Sequence, residues 1–145
     1  MPCHADVLLR LASRTQTLRY LTRVETGAHR EIAQETLDLY APLANRLGVW
    51  QLKWELEDLS FRFLEPETYK RIARQLDERR SEREDFIARA KAELERELAS
   101  AGIKAEVTGR PKHIFSIWNK MRQKALDFEE LNDVRALRVL VDEVK

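Results

Sequence analysis

The period at which apolar residues recur first changes at Gly102, and that change limits the fold more than any other feature of the sequence. Upstream of it they return every three, four or seven residues, the spacing of one helical face. Residues 7–21 show this through Val7, Leu8, Leu11, Leu18 and Leu21. Residues 25–47 show it through Ile32, Leu37, Leu39, Tyr40, Leu43 and Leu47, with Pro42 expected to bend or restart the helix and Gly48 to close it. A third helix is expected over 50–64, striped by Leu52, Leu56, Leu59 and Phe63 and widened by Trp54 and Phe61. Pro66 suits the first turn of a further helix. From there the pattern runs to Ala101, and its polar stretch at 77–85 predicts a bend or a break into two helices. Opposite charges four apart, Arg80 with Glu84 and Arg89 with Glu93, fit a solvated outer face.

Past Gly102, which offers a helix cap, Ile103, Ala105 and Val107 alternate with Lys104, Glu106 and Thr108, the period of a half-buried strand. Residues 113–124 return to helical spacing through Ile114, Ile117, Trp118 and Met121, and residues 134–141 form a second apolar, β-branched run. The expected class is therefore α+β and predominantly α-helical: a helical bundle followed by a strand, a helix and a strand. Two strands do not bury a sheet face alone, so the layer is expected to be incomplete.

Charge excludes some functions. Lysine and arginine total 26 against 25 acids, a formal charge of +1, which gives no general attraction to DNA or to an anionic membrane. The longest apolar runs are only a few residues, and no basic segment followed by an apolar stretch opens the chain. With a lone cysteine, Cys3, no internal disulfide can form. These features predict a soluble, cytoplasmic protein.

Locally the balance breaks. Residues 107–126 contain no acid, while Arg110, Lys112, Lys120, Arg122 and Lys124 supply five positive charges, with His113 and Ser116 as further donors. Arg110 and Lys112 lie in the turn between strand and helix, where backbone N–H groups and the positive end of the helix dipole gather. Ser116 and Lys120, four apart, share a helix face above that end. An anion cradle for a polyphosphate and an ordinary basic surface turn both fit this pattern. An acidic cluster follows: Asp127, Glu129, Glu130 and Asp133. A carboxylate beside a phosphate cradle is where Mg²⁺ would be held, and the same residues also suit helix caps.

Three long segments carry a family. ETLDLYAPLANRLGVWQLKWELEDLSFRFLEPETYKRIARQLDERR (35–80), AEVTGRPKHIFSIWNKM (105–121) and DFEELNDVRALRVLV (127–141) resemble the long RelA/SpoT homologues. In that family an HD-type hydrolase domain precedes a nucleotidyltransferase-like synthetase, which transfers pyrophosphate from ATP to the 3′-hydroxyl of GDP or GTP to make (p)ppGpp. The resemblance implies that 1–64 is the end of a hydrolase domain with its helical connector, and 65–145 the first part of a synthetase domain. It implies ATP contacts at Arg110, Lys112, Ser116 and Lys120, and a catalytic, Mg²⁺-binding carboxylate at Asp133. ATP and GDP or GTP are the implied partners, with the ribosome reached through domains that this sequence lacks.

Two departures qualify the resemblance. Active hydrolases of the family carry a segment resembling L-A-D-R-L-H-N, which here reads Leu11, Ala12, Ser13, Arg14, Thr15, Gln16, Thr17. Ser13 stands where a metal-binding carboxylate is expected, and none of His4, His29 and His113 is followed by aspartate. A degenerate hydrolase and a synthetase-only lineage of RelA type follow as expectations. The second departure is length: the acceptor half of the synthetase is missing, so an internal fragment without (p)ppGpp synthesis of its own is expected. The competing reading is a helical interaction module that binds a full-length relative or the ribosome through its charged helices, over residues 66–101.

Overall fold

A computed structural model describes residues 3–24, 27–110, 112–131 and 134–142. The chain divides into two compact units, Met1–Arg71 and Ile72–Lys145.

The first unit is helical. It contains α1 (His4–Leu21), α2 (His29–Glu35), a π-helical turn (Thr36–Tyr40), α3 (Ala41–Arg46) and α4 (Trp50–Leu64), and α5 (Pro66–Glu78) begins within it. Leu11, Leu18, Ala41, Ala44 and Leu56 form its buried core, with Val7, Ile32, Tyr40, Leu47, Leu52, Leu59 and Phe63 packed around them. On α1 the gap between Leu11 and Leu18 is filled by Thr15, buried because its hydroxyl donates to the Leu11 carbonyl at 2.9 Å.

Pro42 acts as expected, but through the turn before it. Its ring would collide with the carbonyl of Asp38, one turn back, and the π-helical turn at Thr36–Tyr40 widens the backbone there. The extra residue rotates the buried face. Leu39 and Leu43, expected to be apolar-stripe residues, are exposed, and the small residues Ala33, Thr36, Ala41 and Ala44 take the core side, letting α4 approach closely.

The second unit holds the rest of α5, then α6 (Arg80–Ser100), β1 (Ala105–Gly109), α7 (Ile114–Lys124), a 3₁₀ turn (Phe128–Glu130) and β2 (Leu137–Val141). The break expected within 77–85 falls between Glu78 and Arg80. β1 and β2 pair antiparallel, with Ala105 opposite Val141, Val107 opposite Val139 and Gly109 opposite Leu137. The second strand is shorter than its apolar run: Val134, Arg135 and Ala136 precede it. The fold is thus predominantly helical with a small two-stranded sheet, as the change of period implied. Val107, Ile117, Phe128 and Leu131 are buried.

Three helices end in the same way. Gly48 and Gly102 take left-handed backbone, at φ of 71° and 70°, and Val49 and Ile103 return their N–H groups to Ala44 and Leu98. α7 closes identically, yet the left-handed position is Ala125, at φ 49°, with Leu126 N–H bonded to Met121 O at 3.0 Å.

Candidate functional site

β1 delivers two residues to the start of α7. Gly109 lies against α6: a Cβ there would stand 3.2 Å from Cγ2 of Ile87, tighter than ordinary packing, so a residue without a side chain lets strand and helix meet. The N–H of Arg110 donates to the Ala136 carbonyl at 2.8 Å, one step beyond the ladder, which fixes the backbone while the side chain stays exposed. Lys112 and His113 then lead into α7. His113 is the extended N-cap residue and gives no side-chain cap, and no acid stands in the first turn.

Cations converge at this corner. The side-chain nitrogens of Lys112 and Lys120 meet, the Lys112 ammonium donating to the Lys120 amine, with Arg110 near enough to repel the charge on Lys112. Partial burial lowers the Lys112 pKa below lysine's ordinary value and Arg110 adds to the fall, while the contact with Lys120 opposes it. The Lys120 pKa is lowered by desolvation, then by Lys112 and Lys124. Ser116, half-buried, sits in the first turn of α7, one turn before Lys120. Arg110, Lys112 and Lys120 are therefore brought together as the sequence suggested, and Ser116 lies on the same helix. Arg122 turns elsewhere, its guanidinium 4.6 Å from the centre of the Trp118 ring.

A cleft of about 260 Å³ runs beside this corner, lined by Arg83, Arg110, Lys112 and the apolar Leu76, Ile87 and Val134. Arg83 was hidden in the sequence. It lies in the polar stretch that reads as a wet helix surface, and the available signal was its position one turn before Ile87, on the face that packs against β1.

The acidic cluster splits. Asp127 N–H donates to Glu130 Oε2 at 2.8 Å in a capping box for the 3₁₀ turn, and Glu129 pairs with Arg79. These three serve as caps and ion-pair partners. Asp133 lies outside the described residues. Among the described residues no group of three or more potential ligands could hold a metal. Mg²⁺ commonly uses one or two carboxylates together with substrate phosphates and does not require such a group.

In the first unit a separate cleft of about 260 Å³ is lined by Arg10, Ser13, Arg14, Thr17, Ile32 and Tyr40. Ser13, Gln16 and Thr17 are exposed on α1. The Arg14 charge is already met: its guanidinium pairs with Glu35 at 2.7 Å, donates to the Tyr40 hydroxyl at 3.1 Å and to the Ile32 carbonyl at 3.4 Å, and lies over the Tyr40 ring.

Comparison with known proteins bears on both units. A family model described as "HD domain" matches residues 5–50, and one described as "Region found in RelA / SpoT proteins" matches residues 109–145. The GTP pyrophosphokinase of Photobacterium angustum is 50% identical over 139 residues, 96% of this chain and 19% of the relative. The GTP pyrophosphokinase of Escherichia coli K12 matches to the same extent. The chain belongs to the RelA/SpoT family. A Synechocystis protein named as a probable guanosine-3′,5′-bis(diphosphate) 3′-pyrophosphohydrolase is 44% identical over 137 residues, 94% of the chain and 18% of the relative. The chain thus spans about a fifth of the length of these RelA/SpoT relatives. The RelA/SpoT match begins at the residue where β1 turns toward α7 and so covers the whole cationic corner. Among the described residues no helix is long and apolar enough to cross a membrane.

Proposed function

We propose that this chain supplies the ATP side of a GTP pyrophosphokinase, in which pyrophosphate passes from ATP to the 3′-hydroxyl of GDP or GTP. One observation carries the reading: two lysine side chains brought together, beside a guanidinium, on a helix whose first turn holds no acid. Like charges gathered in this way repel one another, and an anion between them removes the repulsion. In this reading Arg110, Lys112, Ser116 and Lys120 bind the triphosphate, and residues 65–145 open a nucleotidyltransferase-like domain. Phosphoryl transfer leaves the protein mainly the tasks of neutralising charge and aligning oxygens, which such a corner can perform. Asp133 would hold Mg²⁺, whose chemistry is to offset charge on the phosphate oxygens.

Residues 1–64 are read as the end of a hydrolase-derived domain that has lost its metal chemistry. Support comes from the neutral Ser13, Gln16 and Thr17 on α1, and from the neutralised Arg14 beside them.

Titration calorimetry with Mg-ATP tests the synthetase reading. Arg110→Ala and Lys112→Ala are each expected to weaken binding about tenfold, the loss of one charge-assisted hydrogen bond. Unchanged binding in both variants, or capture of a protein partner through residues 66–101 with no ATP binding, would overturn it.

A further inference from the structure

Arginines in the second unit are mostly exposed; among the described residues only Arg83 and Arg135 are half-buried. Arg135 lies 4.9 Å from the centre of the Phe86 ring. Arg83 has no carboxylate, carbonyl or ring partner for its guanidinium among the described residues. It lines the cleft with Arg110 and Lys112, and also a second one, of about 150 Å³, with Arg79, Glu129 and Arg135. The carboxylate lining that second cleft, Glu129, is taken by Arg79. A partly desolvated guanidinium without an anion is costly, and among the described residues the charged groups that line the first cleft with Arg83 are the cations Arg110 and Lys112.

We propose that Arg83 is a further phosphate-binding residue of this site, extended from α6 to the same oligophosphate that Arg110 and Lys112 hold. The inference rests on the nucleotide reading above and adds to it a ligand contact from outside the strand, turn and helix that carry the other four. Arg83 suits the role in chemistry as well as place: its planar fork can bind two phosphate oxygens at once, which neither lysine can do. The Ile87 contact with Gly109 ties α6 to β1 one turn away and so fixes the distance from which Arg83 works.

The test measures inorganic tripolyphosphate binding to the full chain by calorimetry, over a salt series, for the unaltered protein, Lys112→Ala, Arg83→Gln and Arg89→Gln. Arg89 is exposed farther along α6 and serves as the control. Arg83→Gln is expected to weaken binding about tenfold and to flatten the dependence of affinity on salt, while Arg89→Gln changes neither. A variant that merely folded less well would lose apparent affinity with the salt dependence intact, and that result overturns the proposal. If Lys112→Ala weakens binding and Arg83→Gln does not, the nucleotide reading stands and this inference falls. If neither variant differs from the unaltered chain, both fail.

Discussion

Lys112 shows how one residue can report the state of the site. Its pKa is lowered in the folded chain, so between that lowered value and lysine's ordinary value of about 10.4 the folded protein binds fewer protons than the unfolded chain. Its contribution to stability therefore rises with pH across that window. Anion binding runs the other way, since it needs the charged form. ATP affinity is expected to fall as pH rises toward about 10, earlier than an unperturbed lysine would dictate, and Lys112→Arg should reduce the fall because arginine keeps its charge. Calorimetry at a series of pH values checks this. Gly109 makes a steric claim: Gly109→Val should cost about 1–3 kcal/mol by crowding Ile87, and Ile87→Ala in the same chain should recover part of the loss. Urea midpoints of the two single variants and the double variant give the coupling. Such residues were unevenly legible in the sequence. Arg110, Lys112 and Lys120 stood out because no acid interrupts them, whereas Arg83 was masked by the charges of its own helix.

At the scale of elements, helix ends and periods were read well because glycine at a left-handed position and a 3.6-residue stripe are local properties. Gly48 and Gly102 were visible for that reason. Ala125 was not: nothing about an alanine announces left-handed backbone, which it adopts because Leu126 and Met121 close the helix around it. Ala125→Gly is accordingly expected to stabilise the chain by about 1 kcal/mol, seen as a raised urea midpoint. The π-helical turn was also illegible, since Pro42 predicts a disturbance but not that the extra residue would turn Leu39 and Leu43 outward. Of the opposite-charge pairs expected on α6, Arg80 does meet Glu84 at 2.9 Å, whereas Arg89 donates instead to the Asp85 carbonyl at 3.4 Å. Such surface contacts matter little to stability. On α4, Glu55→Gln should cost under about 1 kcal/mol although Glu55 bonds Arg19 at 2.7 Å, because the pair is partly solvated. Leu56→Ala, one residue on and fully buried, should cost about 2–5 kcal/mol. Chemical denaturation of both variants separates burial from charge pairing.

Over the whole molecule, each unit carries a cleft of about 260 Å³, and the two are in opposite condition. In the first unit the Arg14 charge is met by Glu35 and a tyrosine ring. In the second, Lys112 meets Lys120, with Arg110 and Arg83 beside the same cleft. The sequence indicated the second cluster through its run of cations, but the proximity of Arg83 depends on how α6 packs against β1, a long-range contact that no local pattern encodes. The claim that nucleotide phosphate binds in the second unit is tested most directly by mapping amide resonance shifts as Mg-ATP is added to the chain. Shifts concentrated in residues 112–120, with residues 10–17 unmoved, are the expected result. Shifts centred on residues 10–17, or none in either segment at saturating nucleotide, would contradict it.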